Sequence, residues 1–195
     1  MQKCTFYIYI SSANVSIKAS RSEEYTCYER WKIYAENYLL NSQHILNTAI
    51  VRIPPVFGLS TKPDTALDKV RRFISGSCNV QEFLNPNAFI TAIHTHDLSS
   101  AITKIILNRF NNEFSATSTN TVFLLMESRF ICLSDLDSIY AHYSDLRNLP
   151  LRSLQEQFSC MTCLNSEHIK NISDVKHINP GDFRFLARML TSFTS

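Results

Sequence analysis

Apolar and polar positions along this chain fall into blocks that switch between a strand period and a helix period. Residues 4–10, CTFYIYI, are dense in β-branched and aromatic side chains and stop at Ser11-Ser12, the pattern of a buried strand. Residues 13–25 are polar and irregular and predict no element. From Cys27 to Leu40 the period becomes helical. Trp31, Tyr34, Ala35, Tyr38 and Leu39 recur at three and four, which predicts a helix whose aromatic face packs on a sheet. Thr48 to Ile53, TAIVRI, reads as a second buried strand stopped by Pro54-Pro55, with Gly58 at the turn beyond.

Further along, Ala66, Leu67, Val70, Phe73 and Ile74 mark one side of a helix over 64–74, with Gly76 just past its end. Residues 77–90 predict short extended pieces. Asp97 reads as the N-cap of a helix from Leu98 to Asn108, with Leu98, Ala101, Ile102, Ile105 and Ile106 inward. Val122 to Met126 predicts another strand, and Ser134 caps a helix through Tyr143. The tail from Leu149 has weaker periodicity, with a last helix over 182–191 after Pro180-Gly181. Strands alternating with helices imply parallel crossovers, so the expected class is α/β. No internal repeat or low-complexity linker interrupts the order.

Composition adds little except through glycine. The 195 residues carry a formal charge of +2, so electrostatics favours neither nucleic acid nor an acidic membrane. Only Gly58, Gly76 and Gly181 are present. A phosphate-cradling loop needs several glycines close together so that backbone amides can approach the phosphate. No segment here has them. The six cysteines are mostly isolated in apolar stretches and behave as small hydrophobes, which points to a reducing cytoplasm. No run approaches the ~20 apolar residues of a membrane span. The apolar start at Cys4 to Ile10 is short and alternates with Thr and Tyr, so a buried strand is preferred to a cleaved signal.

The candidate chemistry lies in CYERWK, where Tyr28 and Lys32 stand four apart and share one side of the predicted helix. A free phenol, with a pKa of ~10, is a poor base at neutral pH. An ammonium beside it favours the phenolate. Such a pair serves as general acid/base on an alcohol or a carbonyl. Ser12, at the tip of the preceding strand, is placed to hydrogen-bond the same substrate oxygen, because ligands of open α/β sheets bind at strand tips.

Four pieces occur in one order. Ser11-Ser12-Ala13 ends a strand. Tyr28 and Lys32 are followed by Ala35-Glu36. Arg52, Val56, Phe57 and Gly58 follow the second strand. Ile93, His94, Asp97 and Leu98 open a helix. This succession, over residues 5–147, resembles the extended short-chain dehydrogenase/reductase family, the NAD-dependent epimerase/dehydratase group. The resemblance implies a partial Rossmann-like parallel sheet over residues 1–76, as the C-terminal half of that domain. It implies a C-terminal substrate-domain-like lobe over 77–195, interleaved with returning sheet elements. It implies Ser12 orienting the substrate hydroxyl or keto group, Tyr28 as acid/base, and Lys32 favouring its phenolate and holding the nicotinamide ribose. Pro54 and Pro55 would lie beside the nicotinamide of NAD or NADP. The substrate would be a nucleotide-activated sugar, and the reaction epimerisation, dehydration or reduction.

The family's Gly-rich dinucleotide half is absent from these residues, so the resemblance implies weak cofactor affinity for this chain alone and a separate chain or longer product supplying that half. The family has a longer stretch between Ser12 and Tyr28. Pro55 stands where many members carry a substrate-contacting Asn, and His96 replaces an acidic residue. A non-catalytic truncated remnant or interaction subunit is the alternative, with self-association at an open sheet edge.

Blander roles stand beside these. Arg52 in an apolar strand pairs with a buried carboxylate more readily than it binds phosphate. His94 reads as a packed residue bonded to backbone. Metal binding is not expected. His94, His96 and Asp97 are explained by the helix start, and Cys160-Met-Thr-Cys163 with His168 and His177 lacks a second C-x-x-C. The run Tyr25, Tyr28, Trp31, Tyr34, Tyr38 has no basic interleaving that would stack nucleic-acid bases.

Overall fold

The computed structural model describes residues 6–42, 47–58, 65–74, 89–110, 120–127, 129–132, 164–165, 175–181 and 184–192. These fall into two compact units that alternate along the chain. One comprises Met1–Pro54, Leu98–Met126 and Glu167–Ile178, and the other Pro55–Asp97, Glu127–Ser166 and Asn179–Ser195.

The first unit is built on strands β1 (Tyr7–Ser12), β2 (Thr48–Ile53), β6 (Asn120–Leu125) and β9 (Val175–Ile178). They lie in the order β1-β2-β6-β9 and all pair in parallel, so the chain is α/β as expected. Burial explains the composition of β2. Ala49, Ile50 and Val51 are successive and all buried, which requires cover on both faces of the sheet. The register sets Ser12 beside Ile53, and Leu125 beside Ile178. The C-terminal ends of the four strands therefore share one edge, the edge at which open parallel sheets hold ligands.

Between β1 and β2 stand α1 (Ala13–Arg21) and α2 (Cys27–Asn41). The polar period of 13–25 predicted no element, and α1 corrects that expectation. Ser12 caps it, its Oγ accepting from the Asn14 amide at 3.3 Å. Ser22 closes it in the left-handed region at φ 54°, its amide turned back onto the Ala19 and Lys18 carbonyls. The buried side is Ala13, Val15 and Ser16, a face that hydrophobicity alone does not mark because one of its members is a serine.

α2 starts at a capping box. Thr26 Oγ1 accepts from the Glu29 amide at 3.5 Å, while Glu29 Oε2 accepts from the Thr26 amide at 2.7 Å. The Thr26-x-x-Glu29 spacing is the capping-box signature, which the apolar period of the helix does not mark. The expected burial of the aromatic face is overturned. Trp31 is 71% exposed, Tyr34 66%, Tyr38 64% and Tyr28 58%. The buried residues of α2 are Glu29, Glu36 and Leu39.

The second unit holds β3 (Val56–Phe57), parallel to β5 (Ile93–His94), and α3 (Ala66–Ile74). β4 (Phe89–Ile90), β7 (Arg129–Cys132) and β8 (Leu164–Asn165) form an antiparallel sheet in the order β4-β7-β8. α5 (Arg184–Ser192) follows the turn at Gly181, where φ is 119° and a side chain would be strained. Its core includes Phe57, Leu67, Val70, Ile93, Phe185, Leu186 and Met189. Gly58 passes close to Thr95, and a Cβ there would meet Thr95 Oγ1 at 2.9 Å.

α4 (Thr95–Phe110) begins before the expected cap, so Asp97 lies inside its first turn rather than capping it. The expected helix over 134–143 and Gly76 lie outside the described residues. No helix among the described residues is long and apolar enough to cross a membrane.

Candidate functional site

The C-terminal end of β1 and the start of α2 carry the predicted triad. Ser12 is the last residue of β1 and is buried. Tyr28 lies in the first turn of α2 and Lys32 one turn further. Lys32 is half-buried and reaches β1, donating from Nζ to the Ile10 carbonyl at 2.9 Å. The same ammonium lies 5.7 Å from the centre of the Tyr28 ring and 5.1 Å from that of Tyr9. The structure thus joins Tyr28 and Lys32 to β1 at Tyr9 and Ile10. It does not join Ser12 to either by a hydrogen bond, since the Ser12 oxygen is engaged with Asn14. Accepting that bond leaves the Ser12 hydroxyl proton available to donate.

Two phenols meet Lys32, and their surroundings separate them. Burial pushes the Tyr9 hydroxyl up from its ordinary range, and the charges of Glu36, Tyr28 and Tyr7 push it the same way. Tyr9 stays protonated and half-buried, a ring on which the ammonium rests. Tyr28 is the phenol open to a substrate. Tyr9 was not singled out from sequence.

What fixes α2 on the sheet is polar. Arg52, on β2, donates from Nε to Glu36 Oε1 at 3.1 Å and from Nη2 to Glu36 Oε2 at 2.6 Å. Its Nη1 donates to Ser16 Oγ at 2.9 Å. The reading of Arg52 as the partner of a buried carboxylate holds. This fork ties α1, α2 and β2 at one point, with the bidentate geometry that only arginine supplies. A second pair, Lys18 Nζ on Glu29 Oε2 at 2.8 Å, ties α1 to the first turn of α2. Burial pushes the Glu29 carboxyl up, but the bonds from Lys18 and Thr26 outweigh it and hold it down at about 2. The first turn of α2, which carries Tyr28, is thus fixed at Glu29, and Lys32 meets the Tyr28 ring one turn on.

Pro54 and Pro55 follow directly on β2, whose last residue lies in register with Ser12. Pro54 is buried and Pro55 exposed. His177, on β9, donates from Nε2 to the Met126 carbonyl at 2.8 Å, because a carbonyl can only accept. Cys160, Cys163 and His168 lie outside the described residues.

In the second unit Asp97 is buried and takes two guanidinium groups. Arg184 Nε donates to Oδ1 at 2.8 Å, and Arg188 donates from Nε to Oδ2 and from Nη2 to Oδ1, both at 3.3 Å. Burial pushes the Asp97 carboxyl up, and the bonds and charges of Arg188 and Arg184 bring it below the ordinary range. His94 Nδ1 accepts from the His96 amide at 3.2 Å, and its ring packs edge-on against Phe57. Burial keeps the His94 ring below its usual range, helped by Arg188 and His96 and opposed by Asp97. His94 is a packed, backbone-bonded residue as expected.

No protein-family model matches the chain, and no curated protein matches it.

Proposed function

We propose that this chain is a relative of the extended short-chain dehydrogenases/reductases that moves a proton at a hydroxyl or carbonyl of a nucleotide-activated sugar. The observation that carries the reading is the Lys32 ammonium, held between the carbonyl of Ile10, two residues before the end of β1, and the face of Tyr28. Tyr28 Oη takes the proton from a substrate hydroxyl, or gives it to a carbonyl, from the exposed side of the helix. Lys32 sets its ammonium against the face of the Tyr28 ring. Ser12 donates its hydroxyl proton to the substrate oxygen. A partial Rossmann-like sheet, a substrate-domain-like lobe in the C-terminal residues and a cytoplasmic setting belong to the same proposal.

A nicotinamide dinucleotide would, when bound, accept the hydride in its oxidised form as the hydroxyl is deprotonated, or give it back in its reduced form as the carbonyl is protonated. The residues fit its nicotinamide end. Lys32 keeps two N–H groups beyond the one spent on Ile10, enough for ribose hydroxyls, and Pro54 and Pro55 follow at the same strand edge. Its pyrophosphate finds no glycine cradle among the three separated glycines of these residues.

Turnover of nucleotide sugars with NAD or NADP, followed by chromatography and mass spectrometry of the sugar product, tests the reading. Tyr28→Phe lowers kcat by about 100-fold or more, the usual worth of a general acid/base, with the circular dichroism unchanged. Turnover untouched by Tyr28→Phe removes the phenol from the chemistry.

A further inference from the structure

The inward side of α2 stacks Glu29, Lys32 and Glu36 at spacings of three and four, so either acid is a local partner for the lysine. Neither is used. Glu29 is taken by Lys18 at 2.8 Å, and Glu36 by Arg52 at 2.6 Å. Among the described residues the Lys32 ammonium has no carboxylate partner. It has the Ile10 carbonyl at 2.9 Å, the Tyr9 ring at 5.1 Å and the Tyr28 ring at 5.7 Å. Lys32 and Tyr9 are both half-buried. A charge drawn part-way out of water needs compensation, and here an aromatic face stands where an acid would be expected.

We propose that Tyr9 is a positioning residue of the acid/base pair: its ring holds the Lys32 ammonium at the Tyr28 ring in place of a carboxylate. The proposal rests on the acid/base reading for what the ammonium is there to do. A carboxylate would also hold it, but would cancel its charge and compete for its protons. A ring face attracts the charge and leaves it uncancelled. Lys32 reaches the strand on a flexible four-carbon stem, so α2 alone does not fix where the ammonium sits. Tyr9 and Ile10 are consecutive on β1, and together they fix it from the sheet, by a ring and a carbonyl.

The two phenols divide the work. Tyr28 is 58% exposed and open to a substrate. Burial, then the charge of Glu36, pushes the Tyr9 hydroxyl up, so at neutral pH its ring stays neutral and does not become a second anion for the ammonium. The Arg52 fork on Glu36 serves the same end, because it occupies the acid one turn beyond Lys32.

Acylation of the full chain by acetic anhydride at neutral pH, with each lysine read by mass spectrometry, tests this without substrate or cofactor. A held ammonium acylates slowly and a released one faster, with Lys18 and Lys104 as internal references. Tyr9→Phe keeps the ring and leaves the Lys32 rate within about twofold of wild type. Tyr9→Leu removes the ring and raises that rate about fivefold, the attraction an aromatic face gives a part-exposed ammonium. Pentafluorophenylalanine in place of Tyr9 keeps the shape and inverts the charge of the ring face, and it raises the rate as Tyr9→Leu does. A Lys32 rate unmoved by Tyr9→Leu or by the fluorinated ring, or raised as far by Tyr9→Phe as by Tyr9→Leu, overturns the proposal. These rates involve no turnover, so a failure here belongs to Tyr9, whereas turnover untouched by Tyr28→Phe counts against the acid/base reading.

Discussion

The two sides of α2 invert the ordinary rule of burial. Inward, the helix buries two carboxylates, Glu29 and Glu36, together with Leu39. Outward, it exposes Trp31, Tyr34 and Tyr38. Hydropathy would assign the sides the other way round. The difference teaches that in this helix burial follows pairing. Glu36 is buried because Arg52 forks onto it, and Glu29 because Lys18 and the Thr26 cap hold it. The same inward arrangement turns Lys32 toward β1 and sets Tyr28 at its boundary.

The comparison breaks most easily at Glu36. Glu36→Ala leaves the Arg52 guanidinium in a site with no counter-charge, and unfolding free energy falls by about 3–5 kcal/mol, read by urea denaturation. Arg52→Met combined with Glu36→Leu recovers most of that loss, since a buried pair replaced by apolar residues is often neutral. If the double variant is as unstable as the single one, pairing is not what holds the inner side.

Glu29 gives a smaller effect with a pH signature. Its carboxyl is at about 2 when folded against an ordinary value of 4.5, so the group releases its proton more readily in the native state. Its stabilisation is complete above the ordinary value and is lost as pH falls from 4.5 toward 2. Glu29→Gln flattens the acid limb of the stability profile in that window. Thr26→Ala, which removes the other half of the cap, costs about 1 kcal/mol at neutral pH.

The outer side gives the smallest effect on folding. Trp31→Ser and Tyr38→Ser change the stability of a single chain by no more than about 0.5 kcal/mol, as surface substitutions do, measured by thermal denaturation at a concentration where the chain is monomeric. A loss of several kcal/mol would mean that these rings are packed inside the unit.

Much of the fold was legible because strands buried on both faces announce themselves. TAIVRI is β2 to the residue, and the helices over 27–40, 64–74 and 182–191 lie within a few residues of α2, α3 and α5. α1 was hidden because its buried face includes Ser16, which is there to accept from Arg52. β9 was hidden because Val175–Ile178 is four residues long with Lys176 and His177 at its centre. Asp97 looks like a cap from its neighbours. Its partners Arg184 and Arg188 are remote in sequence, so no local pattern reveals them. Of the site, the spacing of Tyr28 and Lys32 foretold their closeness. That Lys32 is anchored to Ile10, and that Tyr9 shares it, required the register of helix on sheet.

The account depends on Lys32 making Tyr28 reactive. Labelling by an arylsulfonyl fluoride at neutral pH, with each tyrosine read by mass spectrometry, tests this without any substrate. Tyr28 labels faster than Tyr7 in the wild-type chain, and Lys32→Met brings it down to the Tyr7 rate with the fold retained. Equal labelling of Tyr28 in the wild-type and Lys32→Met chains would contradict the assignment.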